Sequence, residues 1–138
     1  MFDHCIYFNT SALARRLERE WAEVFEAFDL TPPQAFTLRA VIDRPGMLQS
    51  QLSEQLSIAR ATATRALDGL EAKGYIERRR SAGDGREICI HPTVDATRLK
   101  VSLNQASGAV TAKLKKLLGS EEFADTVSKI RSVRSALE

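Results

Sequence analysis

The residues best suited to chemistry lie between Arg60 and Arg86. Seven lysines and arginines (Arg60, Arg65, Lys73, Arg78, Arg79, Arg80, Arg86) stand there against four acids (Asp68, Glu71, Glu77, Asp84). Cations at that density suit phosphate oxygens, which supply most of the salt-sensitive affinity for a nucleic acid. Arg60, Thr62, Thr64 and Arg65 share what reads as the outward side of a helix. Arginines and short hydrogen-bonding side chains are the types that reach base edges in a major groove. A merely solvated helix face is the alternative for these four. Ser57, just before them, and Arg78 to Arg80, which lead into a glycine-bearing turn, suit contacts to the backbone of a duplex. Arg86, near the tip, suits a narrow minor groove, where the negative potential is enhanced. Asp84, two residues earlier, can brace its guanidinium. The alternative is an ordinary solubilising hairpin, or an edge strand guarded by charge.

Other chemistries find no footing. No glycine-rich phosphate loop, nucleophile elbow or zinc-protease helix motif occurs, so an enzyme is not expected. Two cysteines make neither a disulfide framework nor a four-thiolate zinc site, and His4 and His91 lack metal-ligand spacing. No metal and no cofactor are expected. Cys89, between Ile88 and Ile90, reads as a packed small residue. Trp21, Phe25, Phe28 and Phe36 either fill a core or line a cavity for a small ligand, Trp21, Phe25 and Phe36 being the candidates for the pocket. The net charge of +2 rules out a bulk polycation, so any nucleic-acid case rests on where the charges lie.

The elements that must hold these residues are mostly helical. With 138 residues, 43% hydrophobic and 28% charged, the chain fits one globular domain with a real core. Leu13, Leu17, Trp21, Val24 and Phe28 recur at helical spacing, predicting a first helix from about Thr10 to Phe28. Thr31-Pro32-Pro33-Gln34 is a strong helix start, with a capping threonine, a proline in the first turn and a glutamine placed to complete a capping box. That helix stops near Arg44-Pro45-Gly46. Two short helices follow, about Gln49 to Leu56 and Arg60 to Lys73, with a tight turn between them. In the second, Ala63, Ala66, Leu67 and Leu70 face inward, and Gly74 supplies the stop. The period then changes to that of a strand over Tyr75 to Arg80, a turn over residues 81–85 and a returning strand over Arg86 to His91. Leu99, Leu103, Ala106, Val110, Leu114 and Leu117 form a stripe on a long helix. Gly119-Ser120 interrupts it, and Phe123, Val127, Ile130, Val133 and Leu137 continue on a last one. The expectation is an α+β chain, mostly α: four helices, a β-hairpin, then two helices.

Those terminal helices carry broad apolar faces with no large sheet to bury them, the kind of surface that marks association. A homodimer is the expected partner state, folding back onto the same subunit the alternative. The N-terminus has no basic leader and no apolar run approaches spanning length, so the default is a reducing cytoplasm and no membrane partner.

In order along the chain, Leu30-Thr31-Pro32-Pro33-Gln34, Leu52-Ser53-Glu54-Gln55-Leu56, Arg60 to Asp68, Leu70 to Arg79 and Asp84-Gly85-Arg86 together resemble the MarR family of winged helix-turn-helix regulators. The resemblance covers essentially the whole chain. It implies a winged helix-turn-helix lobe over about residues 31–92, with dimerisation helices over about 1–30 and 93–138. It further implies a homodimeric repressor on a pseudo-palindromic operator in double-stranded DNA. The helix from Arg60 would lie in the major groove and Arg86 in the minor groove, with release by a small-molecule effector or an oxidant. Leu48 and Ala59 stand where the family often has capping serine or threonine, and Pro92 where it usually has an apolar residue. A branch of the family senses peroxides through a cysteine in the first helix, which makes Cys5 a candidate redox residue. Counting back from Gln34, the usual reactive position falls closer to Tyr7. A winged-helix adaptor that never touches DNA is the remaining alternative.

Overall fold

The structure, a computed structural model, describes residues 1–83 and 85–138. Helix α1 runs from Ile6 to Phe25, beginning earlier than the apolar stripe suggested. The cause is polar and not periodic. The Asn9 carboxamide donates to the carbonyls of Asp3 (3.0 Å) and Cys5 (2.9 Å) and ties down the first turn. A 3-10 turn, Glu26–Phe28, follows α1, and Asp29 reverses the chain in the left-handed region at φ 55°. Aspartate tolerates that conformation better than most residues.

Helix α2, Pro32–Asp43, starts as its sequence predicts. Thr31 Oγ1 accepts from the Gln34 N–H at 3.3 Å, and Gln34 Oε1 accepts from the Thr31 N–H at 3.0 Å. Each satisfies a helix-end donor that would otherwise be orphaned. Strand β1 (Met47–Leu48), helix α3 (Gln49–Gln55), helix α4 (Arg60–Ala72) and strands β2 (Ile76–Arg80) and β3 (Ile88–Pro92) complete the middle of the chain.

The expected lone hairpin is in fact part of a three-stranded antiparallel sheet, in the order β1-β3-β2. Met47 pairs with Ile90 and Leu48 with Cys89. Two residues are too few to show a strand period, so β1 could not be read in the sequence. Gly46, at φ 85°, brings it alongside by donating its N–H to the Ile90 carbonyl at 2.8 Å. The returning strand begins at Ile88, leaving Arg86 in the turn.

Thr93 joins sheet to helix. Its hydroxyl accepts from the Ala96 N–H at 3.2 Å and donates to the Gly74 carbonyl at 2.8 Å. The expected long fifth helix is divided into α5 (Val94–Thr97) and α6 (Lys100–Leu118). Leu99 keeps a right-handed helical backbone between them, so the chain bends without reversing. Gly119, at φ 88°, ends α6, and α7 spans Ser120–Ala136.

The core gathers Phe25, Leu38, Val41, Leu52, Leu67, Leu70, Ile90 and Leu103, all fully buried, from α1, α2, α3, α4, β3 and α6. It fastens the helix-turn-helix to the sheet and both to α1 and α6. Helix α7 buries no residue and leaves Val127, Ile130 and Val133 exposed. No helix among the described residues is long and apolar enough to cross a membrane.

Candidate nucleic-acid interface

Helices α3 and α4 are joined by a turn whose pivot is Ser57, an exposed residue at φ 53°. The Ile58 N–H reaches back to the Ser53 carbonyl at 3.1 Å and closes the end of α3. Neither α3 nor α4 has a side-chain cap on its first residues in the usual manner. At α3 the Gln51 Oε1 accepts from the Leu48 N–H at 3.0 Å, which is half of a capping box. Ala59, at the start of α4, offers no side-chain acceptor at all.

Ala63, Ala66, Leu67 and Leu70 turn inward and fix the rotation of α4 about its axis. Arg60, Thr64 and Arg65 are thereby left exposed, while Thr62 is half-buried. Thr64 is held on several sides. Its hydroxyl donates to the Arg60 carbonyl at 2.9 Å and accepts from Gln49 Nε2 at 3.0 Å. Gln49 went unnoticed in the sequence because an isolated polar residue at a helix start has no distinguishing pattern.

The three arginines of β2 do not act alike, since side chains alternate across a strand. Arg78 shares its side of the strand with buried Ile76 and is itself only 18% exposed in its side chain. Its guanidinium bridges Asp68 at 2.8 Å and Glu71 at 3.4 Å, and donates to the Thr64 carbonyl at 3.4 Å. It fastens α4 to the sheet, whereas the sequence points to it as a contact to the backbone of a duplex. Arg79 pairs with Glu77 at 2.8 Å and stays exposed, as does Arg80. The wing turn is closed by the Ser81 N–H on the Glu87 carbonyl at 2.8 Å, with Arg86 exposed in it. Asp84, its expected brace, lies outside the described residues.

A cleft of about 460 Å³ separates the start of α4 from the wing. Gln49, Arg60, Thr64, Arg86 and Ile88 line it, so the fold brings the principal candidates of both elements to one place.

Between α1, α2 and the α3–α4 turn lies a second, largely apolar pocket of about 460 Å³. Leu17, Trp21, Phe36, Leu56, Ile58 and Thr62 are among its walls. Phe25 is not. It is fully buried behind Phe36, edge-on with ring centroids 6.0 Å apart, because it belongs to the inner side of α1. Trp21 and Arg39 both donate to Ser107 Oγ at 3.0 Å, and Arg39 donates to Asn104 at 2.9 Å while its guanidinium lies 5.0 Å from the Phe36 ring centroid. Burial pushes the Arg39 pKa down from its ordinary value. This network ties the pocket wall to α6. The buried hydroxyl of Thr37, at the same pocket, has no hydrogen-bond partner among the described residues.

Cys5 is exposed ahead of α1, and Cys89 is half-buried in β3. Among the described residues no group of His, Cys, Asp and Glu is arranged to hold a metal ion.

Comparison with known proteins agrees with this architecture. The family model described as MarR family matches residues 28–87, from the 3-10 turn after α1 to the wing. The chain is 35% identical over 66 residues to the HTH-type transcriptional regulator YybA of Bacillus subtilis, a match spanning 48% of this chain and 44% of that one. The fold superposes on Staphylococcus aureus MepR, solved as a DNA complex, with a TM-score of 0.86 at 22% identity, covering 95% of this chain and 96% of that one. It also matches the Streptomyces coelicolor regulator PcaV, solved with its natural ligand, with a TM-score of 0.84 at 23% identity, covering 100% and 97% of the two chains. Through its helix-turn-helix and wing the chain is similar to the MarR family, and over nearly its whole length it shares the fold of these solved regulators.

Proposed function

We propose that the protein is a homodimeric repressor that binds a pseudo-palindromic operator and is released when a small ligand enters the pocket beside α2. The observation that carries the reading is the meeting of Arg60, Thr64 and Arg86 at one exposed cleft. Helix α4 enters the major groove, with Arg60, Thr62, Thr64 and Arg65 toward the bases and adjacent phosphates. The uncapped α4 start, flanked by Ser57, offers free N–H groups to a phosphate. Arg79 and Arg80 touch the backbone, and Arg86 enters the minor groove. Arg78 acts differently from its neighbours, as the brace that keeps α4 at its angle to the wing. The DNA complex of MepR and the ligand complex of PcaV support the two halves of this reading.

The dimer rests on surface chemistry. Phe2, Ile6, Tyr7 and Phe8 at one end of the chain, and Val127, Ile130, Val133 and Leu137 at the other, are all exposed. Their burial against a second copy removes that apolar area from water. A two-fold pair also sets two α4 helices about 34 Å apart, one turn of a duplex. Trp21 and Phe36 provide a ligand pocket whose wall leads through Ser107 into α6, so an occupant can shift the lobes against the dimer helices.

The test is binding of the purified chain to duplexes selected from a random-sequence pool, followed across a salt series. Log affinity falling steeply with log salt, with two chains per duplex, is expected. Salt-insensitive or absent binding contradicts the reading.

A further inference from the structure

We propose that Thr64 recognises the 5-methyl group of a thymine through its own γ-methyl, with Gln49 as the residue that positions it. The inference rests on the reading of α4 as the major-groove helix and goes further by naming a base and an atom.

A threonine hydroxyl has one hydrogen and two acceptor lone pairs. At Thr64 the hydrogen goes to the Arg60 carbonyl at 2.9 Å, and one lone pair takes the Gln49 carboxamide N–H at 3.0 Å. The side chain is nevertheless exposed, on the cleft between α4 and the wing. It therefore cannot donate to a base acceptor without giving up its own helix bond. One acceptor lone pair and the methyl remain uncommitted, and of these only the methyl can pack on an apolar group. The backbone at this position is fixed as well, since Arg78 reaches across from β2 to the Thr64 carbonyl at 3.4 Å. Ile88, 39% exposed, adds a second apolar group to the same cleft. In a major groove the thymine methyl is the apolar feature of the base edges, and a threonine methyl is one of the groups that packs on it. Arg60 and Arg86, lining the cleft too, supply charge without competing for that contact.

Gln49 is the less obvious member. It stands at the start of α3, a helix away from the recognition face, yet its hydrogen bond holds the Thr64 hydroxyl turned aside. That makes it a positioning residue.

The experiment uses the full chain and a duplex selected by it from a random-sequence pool. Each thymine is replaced singly by deoxyuridine, which removes the methyl and leaves the pairing intact. One thymine per half-site is expected to lose about fourfold in affinity, the effect of burying about one methyl group. Thr64→Val, which keeps the shape and the methyl, retains both affinity and the deoxyuridine response. Thr64→Ser loses a similar factor and no longer distinguishes thymine from deoxyuridine at that position. Gln49→Ala weakens the discrimination between thymine and deoxyuridine there, and unchanged discrimination in that variant removes Gln49 from the proposal. The reverse order, with Thr64→Ser active and Thr64→Val defective, overturns the proposal in favour of hydroxyl readout. Tolerance of deoxyuridine at every thymine of a tightly bound duplex overturns it too, and leaves the DNA-binding reading standing. Failure to select any duplex at low salt removes that reading and the inference together.

Discussion

Arg86 and Gly69 show how much can depend on one side chain, or on its absence. Arg86→Ala is predicted to weaken operator binding by about 1–3 kcal/mol, the range of one good specific contact. Fluorescence anisotropy checks this, with circular dichroism to confirm the fold. Wild-type affinity in a folded variant contradicts the wing's role. At Gly69 a methyl group would come within 2.4 Å of the Gln34 carboxamide nitrogen. Alanine in place of a helical glycine ordinarily stabilises by about 1 kcal/mol. Here it must push aside the side chain that completes the α2 capping box, and a lost cap costs about 0.5–2 kcal/mol. Gly69→Ala is therefore predicted to give no gain or a net loss in urea denaturation. In a Gln34→Ala background the same change should stabilise. A gain in both backgrounds rules out the close approach as the reason for the glycine.

At the scale of elements, β2 and α4 form one mechanical unit through Arg78. Charge-assisted hydrogen bonds of a largely buried guanidinium are worth about 1.5–3 kcal/mol. Arg78→Ala is predicted to lower stability by roughly 1–3 kcal/mol. Arg79→Ala, in an exposed pair, should change it by less than about 1 kcal/mol. Equal effects in thermal melts contradict the assignment. A second tie joins α1 to α6, where Lys113 bonds Glu20 at 2.8 Å. The lysine's hydrogen bond and charge hold the Glu20 carboxyl below its ordinary range, and the carboxylate raises Lys113 in return. The tie is thus present at neutral pH. Its acid-side contribution is lost as pH falls through the lowered Glu20 value, and its alkaline-side contribution as pH rises through the raised Lys113 value. Glu20→Gln is expected to flatten the acid limb of a melting-temperature profile, and an unchanged limb opposes this.

The elements with a strong local pattern were legible in the sequence. The Thr31–Gln34 box, the inward alanine and leucine stripe of α4 and the stop at Gly74 depend on near neighbours along the chain. What escaped depends on distant ones. Strand β1 exists because Ile90 offers a partner, α1 begins where Asn9 can reach back, and Arg78 turns from solvent because Asp68 and Glu71 wait on another element. Three consecutive arginines look alike in sequence; the strand pleat sets Arg79 apart from Arg78, and the carboxylates of Asp68 and Glu71 set Arg78 apart from Arg80. Phe25 and Phe36 likewise differ by which face of a helix meets the core.

At the scale of the molecule, the proposed function requires two copies of the chain and a duplex. One chain has a well-filled core around the helix-turn-helix, yet its terminal helices end in exposed apolar side chains. In the proposed dimer a second copy covers them, and the pair addresses adjacent turns of one duplex. The most direct measurement is footprinting of the full chain on its selected duplex, with the complex mass determined in the same buffer. Two chains protecting segments centred about 10–10.5 base pairs apart is the predicted result. A single chain on the duplex, or one undivided protected segment shorter than a helical turn, would contradict it.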